Sequence, residues 1–250
     1  MTQAAWTELT RELDRCAADG RRIALWLRDD DAVAVTAALD RLIELTVQWD
    51  VPVVVAVVPM PAEPHLAIRL AEFAHIKVAA HGFAHRNHAL PGEKKQELGP
   101  HRPAETVLEE LSIGLERLEA LFPGQTVPML VPPWNRIAAE LLPRLPQLGI
   151  RYLSAFGPAQ LREPVPDLLQ VDCQLDIIDW RTRGAHPHEV LAGRLAGLVR
   201  DSAAAPAPIG ILSHHLAHDE KAWQFLTHLF RLTARREAVT WGWPIPDFYA

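Results

Sequence analysis

Apolar residues in this chain follow two periods. Short continuous apolar runs alternate with longer stretches in which apolar positions recur every three or four residues. The short runs predict buried strands at Ile23–Leu27, Val53–Val58, Ile76–Ala80, Val127–Val131, Arg151–Ser154, Leu168–Cys173 and Ile209–Leu212. The longer stretches predict helices at Ala34–Trp49, Glu63–Ala74, Ala104–Phe122, Ala138–Leu148, Pro187–Val199 and Asp219–Arg236. In the first of these, Ala38, Leu39, Leu42, Ile43 and Leu45 make the core-facing stripe. An opening helix, Trp6–Ala18, lines up Trp6, Leu9, Leu13 and Cys16 and stops at Asp19-Gly20. Strand and helix in alternation predict a parallel sheet of right-handed βαβ units. Seven strands over this length suit an open doubly wound sheet or an incomplete barrel, and periodicity does not separate the two.

Composition narrows the class. At 250 residues and 49% hydrophobic content, the chain can bury one large core. The expected division is a helix over 1–20 followed by one domain over 21–250. A net charge of -6 without a basic stripe argues against nucleic-acid binding. Two cysteines, Cys16 and Cys173, are too few for a disulfide framework and fit a reducing compartment. The first residues lack the basic and apolar regions of an export signal, and no run is long enough to span a bilayer. A soluble cytoplasmic protein is therefore expected. The stretch from Arg86 to Arg102 reads as a long polar loop, a kind of segment that tends to be functional.

Ionisable residues concentrate where the apolar runs stop. Asp29-Asp30-Asp31 follows the first strand, His81-Gly82-Phe83-Ala84-His85 the third, and Ser213-His214-His215 the last. Strand ends are where α/β folds build their sites. One aspartate before a helix reads as a cap; three together exceed what capping requires and repel one another without a cation. His81 and His85 are four apart, so a helical turn after the strand would place both rings on one side. With an aspartate they compose two imidazoles and a carboxylate, a divalent-metal set that leaves positions open. Zinc is the first choice, and cobalt or nickel would accept the same donors. His214 is best placed to donate a proton, with His215 the alternative, because one residue of shift turns the side chain to the opposite face. Pro132-Pro133-Trp134-Asn135 and Asp176 to Trp180 end two further segments; Pro133, Trp134, Asn135 and Trp180 suit pocket walls. His65, His75, His186, His188 and His228 read as structural.

The order of these motifs resembles the polysaccharide deacetylase superfamily, the NodB-homology domain of family 4 carbohydrate esterases. The matching residues are Asp30-Asp31, His81 to His85, Val131-Pro132-Pro133-Trp134-Asn135, Asp176 to Trp180, and Leu212-Ser213-His214, covering roughly Arg22 to Trp243. The resemblance implies an α/β fold, a single-domain distorted (β/α)7 barrel preceded here by the extra N-terminal helix. It implies Asp30 as general base and Asp31, His81 and His85 as metal ligands. It further implies His214 as general acid, Asp176 as its tuning partner, and Trp134 and Trp180 as pocket walls. The activity implied is removal of an acyl group from a carbohydrate or glycoconjugate precursor, a small-molecule or glycan substrate.

Three positions depart from the family pattern. Val131 stands where the family carries the arginine that contacts the base, and Arg28, Arg136 or Arg181 are the candidates to replace it. Ala32 stands in place of the glycine after the aspartate pair, and Gly82 in place of a hydroxyl residue. Together they point to a divergent branch. Rival readings are an allantoinase-like ureide hydrolase on the same scaffold, a sugar-binding relative without turnover, and a ferrous oxygenase site.

Overall fold

The structure is a computed structural model that describes residues 2–158, 161–204 and 207–245. It opens with α1 (Thr2–Ala18), whose residues Trp6, Leu9, Leu13 and Cys16 are buried in the main core, as the helical spacing predicts. The helix packs against α5, described below. Strand and helix then alternate: β1 (Ile23–Ala32), α2 (Ala37–Trp49), β2 (Val53–Val57), α3 (Pro64–Leu70), β3 (Ile76–His81), α4 (Ala104–Leu121) and β4 (Thr126–Val131). The second half is more irregular, with β5 (Tyr152–Leu153), β6 (Leu161–Val165), β7 (Leu168–Val171), β8 (Leu175–Asp176), β9 (Ile178–Asp179) and β10 (Gly184–Ala185). It closes with α5 (His188–Asp201), β11 (Ile209–Ser213), α6 (Glu220–Thr233) and β12 (Val239–Trp241).

The hydrogen-bonded order is β6-β7-β5-β4-β3-β2-β1-β11-β8, with β12 on the start of β1, and every pairing except β6–β7 is parallel. One stretch of chain turns this sheet back on itself. Its first part, β7, pairs with β5; its last part, β8, pairs with β11; Cys173 between them bridges to Phe156. Alternation along the strands then gives two cores. Trp26, Ala56, Ala79, Met129, Cys173 and Leu212 form the inner one, on the face of the sheet away from the helices. Leu27, Val55, Val78, Leu130 and Ile211 face outward onto Leu39, Leu111, Leu195 and Leu226 of the helices. Such double burial explains why the strands read as continuous apolar runs rather than alternating ones.

Several boundaries differ from expectation. β1 runs on to Ala32, so all three aspartates lie inside the strand, and β3 includes His81. The stretch predicted as a helix over Ala138–Leu148 is a 3-10 helix at Ala139–Leu148, because Pro143 and Pro146 lack the N–H groups that an α-helix requires. β7 falls within the predicted strand Leu168–Cys173, whereas its partner β6 and the hairpin β9–β10 have no counterpart in the predicted elements. Among the described residues, no helix is long and apolar enough to cross a membrane.

Candidate metal centre and active site

Because β1 continues past Leu27, Arg28 and Asp30 fall on the same inner face as Trp26, while Asp29 faces outward. Arg28 grips Asp30 through both carboxylate oxygens, Nε to Oδ1 at 2.9 Å and Nη2 to Oδ2 at 3.0 Å. The guanidinium is 0% exposed and also donates to Ser154 Oγ at 2.7 Å, the Ala155 carbonyl at 3.2 Å and Asn135 Oδ1 at 2.9 Å. Burial alone would lower its pKa, but Asp30 holds it above the ordinary arginine value. Of the three candidate arginines, Arg28 is therefore the one on Asp30. Arg136 donates to the Lys95 carbonyl, and Arg181 sits on an exposed turn beside Asp179.

Asp31 points elsewhere. The β1–β2 register shifts between Asp29 and Ala32, and Asp31 has a φ of 74°, so its side chain turns toward β3. Its Oδ1 lies 3.0 Å from His81 Nε2 and 3.3 Å from His85 Nε2. One ligand atom from each of the three residues lies within 4.8 Å of the others. His81 Nδ1 lies 2.9 Å from the Val131 carbonyl, a bond that fixes the tautomer and leaves Nε2 facing Asp31. Burial disfavours ionised Asp31, yet the His81 hydrogen bond and charge keep its carboxyl well below the usual range. His81 is raised by Asp31 against the opposing pull of burial, and His85 is lowered by burial. Two neutral-capable imidazoles and one firmly ionised carboxylate are a fitting donor set for zinc or a similar ion.

A helical turn does not bring His85 round. Gly82 (φ 61°) and His85 (φ 52°) both adopt left-handed backbone, which reverses the chain after β3. Glu97 from the long loop holds this turn, accepting from the N–H groups of Phe83, Ala84 and Arg86 at 3.0, 2.9 and 3.1 Å. At Gly82 a Cβ would lie 2.1 Å from Glu97 Oε2 and 2.6 Å from Pro133 Cγ. Gly82→Ala is therefore expected to destabilise the fold by about 1–3 kcal/mol from overpacking, with backbone strain in addition. A lowered thermal midpoint together with weaker divalent-ion binding would confirm this.

The end of β4 is strained too. Trp134 and Asn135 both have positive φ, 55° and 58°, rare for residues carrying a Cβ and typical of functional sites. The Trp134 ring centroid sits 4.4 Å from that of His85, and the Lys95 ammonium lies 5.9 Å from the Trp134 ring. Asn135 is spent on Arg28, and Pro133 packs on Gly82.

At the end of β11 the two histidines part. His214 reaches the inner side, with Nε2 3.9 Å from Asp30 Oδ2 and Trp180 edge-on to its ring at 4.6 Å. Asp176 does not hydrogen-bond His214 among the described contacts; it accepts from the Ile178 N–H at 2.9 Å and Trp180 Nε1 at 2.8 Å, so it fixes the indole that packs on His214. Burial raises the Asp176 pKa. His215, the alternative proton donor, is instead buried with its Nδ1 bonded to Asp29. Asp29 and His215 meet because Asp29 is in register with Ser213, and both side chains point to the outer layer. Asp29 also accepts from the Ser213 hydroxyl and the His215 N–H. Burial disfavours both ionised forms, but each charge stabilises the other: Asp29 is lowered and His215 raised.

No family model matches the sequence, and no curated protein matches it. Solved structures do. A putative polysaccharide deacetylase from Mycobacterium smegmatis superposes with a TM-score of 0.66 at 13% identity, covering 90% of this chain and 88% of that one. A family 4 carbohydrate esterase from Streptomyces lividans, in complex with acetate, gives 0.59 at 14% identity, covering 90% and 94%. A family 4 acetyl xylan esterase from Clostridium thermocellum, in complex with a cobalt ion, gives 0.51 at 12% identity, covering 83% of each chain. The fold is that of the polysaccharide deacetylases.

Within this polysaccharide deacetylase fold, the strand ends bring Asp30, Asp31, His81, His85, Trp134, Trp180 and His214 to one rim. Two contributors were not singled out from sequence. Ser154, just after β5, supports Arg28, and Glu97 supports the His85 turn from the loop. Neither has a spacing signal, since both partners are distant in sequence.

Proposed function

We propose that this protein is a metal-dependent deacetylase that hydrolyses an acyl group, N-acetyl first and formyl or O-acetyl next, from a carbohydrate or glycoconjugate precursor. The observation that carries this reading is the separation of two adjacent carboxylates. Asp31 joins His81 and His85, while Arg28 holds Asp30 beside that cluster. Asp31, His81 and His85 would hold a divalent ion, zinc by preference, which supplies Lewis acidity toward the acyl carbonyl and water. Cobalt also suits these donors, and the Clostridium thermocellum esterase of this fold is in complex with cobalt.

The chain's own residues supply the rest. Asp30, oriented by a buried guanidinium, accepts a proton as water adds to the acyl carbon. His214 Nε2, 3.9 Å from that carboxylate, protonates the departing nitrogen. Trp134 and Trp180, beside His85 and His214, give flat apolar faces for a sugar ring. Asp176 keeps Trp180 in place and so limits where the His214 ring can swing. Two buried free cysteines fit work in a reducing compartment such as the cytoplasm.

Acetate release from a panel of N- and O-acetylated sugars tests the proposal. Activity abolished by EDTA and restored by zinc or cobalt is expected. Acid release untouched by the chelator would refute metal dependence. Hydrolysis of allantoin with no acid released from any sugar would instead favour the ureide reading.

A further inference from the structure

We infer that Glu97 is a positioning residue that sets how tightly the centre formed by Asp31, His81 and His85 holds its ion. This inference rests on the proposed metal-dependent reading of that site. Glu97 lies in the long loop after β3, is only 1% exposed, and its side chain has no cationic partner among the described ion pairs. A buried carboxylate without a counter-charge is costly and must be met by several hydrogen bonds. Here all of the described ones come from one turn.

The pattern of those bonds is specific. Oε1 takes the N–H groups of both Ala84 and Arg86, the two residues flanking His85, and Oε2 takes that of Phe83. The carboxylate therefore pins the backbone on either side of a metal-set histidine whose own φ is 52°. A non-glycine residue rarely keeps that conformation unless its surroundings impose it. Gly82 leaves the space the carboxylate fills, because any Cβ there would overlap Oε2. The loop is anchored in turn: Leu98, the next residue, bridges to Ile137, and its carbonyl accepts from the Ala138 N–H at 2.7 Å. Glu97 thus links the loop beyond β4 to the direction in which His85 presents Nε2. Outer-shell groups of this kind govern metal affinity by fixing ligand orientation.

The test uses the whole chain stripped of metal, titrated with zinc against a chromophoric chelator, alongside Glu97→Ala, Glu97→Gln and the loop control Glu93→Gln. Hydrogen exchange at the amides of Phe83, Ala84 and Arg86 is followed in the same metal-free proteins. Wild type is expected to bind one ion, and Glu97→Ala to bind it about 10–100-fold more weakly. Glu97→Gln, which keeps one acceptor oxygen but turns a donor toward Phe83, should lose part of that affinity. Glu93→Gln should match wild type, since Glu93 is exposed and, among the described contacts, its side chain pairs only with His101 and the Leu90 N–H. The three amides should lose protection in Glu97→Ala before any metal is added.

Affinity within about twofold of wild type, despite lost protection at these amides, would overturn the inference and leave Glu97 a purely structural tie. If Glu97→Ala does not fold, wild-type affinity in Glu97→Gln overturns it equally. A wild-type protein that binds no zinc would instead sink the metal-dependent reading, and this inference with it.

Discussion

Arg28→Met is expected to lower stability by about 3–5 kcal/mol, because it breaks a buried ion pair and leaves one partner uncompensated. In a protein of this size that corresponds to a thermal midpoint about 6–20 °C lower. Methionine fills much of the same volume, so the loss measures charge and hydrogen bonds more than a cavity. Asp30 would stand 1% exposed with neither of its two guanidinium bonds, and Ser154, Ala155 and Asn135 would each lose a donor. Turnover should fall with stability, since Asp30 would lose both of the bonds that orient it. Arg28→Lys should recover little, because an ammonium cannot bridge both carboxylate oxygens while reaching Asn135 and Ser154. Calorimetry with parallel acetate-release assays checks this. A midpoint and turnover both unchanged in Arg28→Met would show that Asp30 does not depend on it.

Asp30→Asn should reduce turnover by about 10²–10⁴-fold, the usual contribution of a general base. Metal content should stay near wild type, since Asp30 lies outside the donor set of Asp31, His81 and His85. Asparagine keeps the shape but presents an amide nitrogen to one of Arg28's donors, so a modest loss of stability accompanies the kinetic effect. Elemental analysis beside steady-state kinetics separates the outcomes. Loss of metal together with turnover would place Asp30 among the ligands and reverse the roles of the two aspartates.

Much of this site is legible in the sequence because buried strands announce themselves as apolar runs, and their ends are marked by the first ionisable residues. Asp31, His81 and His85 were readable as a set on donor chemistry, and the structure gathers them. The route by which they meet was not. A helical turn was expected between the histidines, whereas left-handed Gly82 and His85 do the work, and nothing in His85 itself signals that conformation. The pair of left-handed residues Trp134 and Asn135 is equally silent in sequence.

Arg28 is an instructive intermediate case. With the first strand ended at Leu27, it was one of three equivalent arginines. Once β1 runs to Ala32, period-two alternation alone puts Arg28 and Asp30 on one face. His215 turned out of the pocket because it opens a 3-10 turn after β11 and bonds Asp29 on the outer side of the sheet. The ferrous-oxygenase alternative loses its footing on architecture, since such sites usually sit on all-β barrels and this sheet is parallel and wrapped by helices. Glu97 lay beyond sequence reasoning because a loop carboxylate acquires its partners only from the folded path.

Diffraction from cobalt-loaded crystals, recorded on both sides of the cobalt absorption edge, tests the central claim most directly. One anomalous peak is expected within about 2.0–2.3 Å of Asp31 Oδ1, His81 Nε2 and His85 Nε2, with the Asp30 carboxylate still on Arg28. A peak bound to Asp30 in place of Asp31, or no peak at these three residues in crystals that hold cobalt elsewhere, would contradict the account.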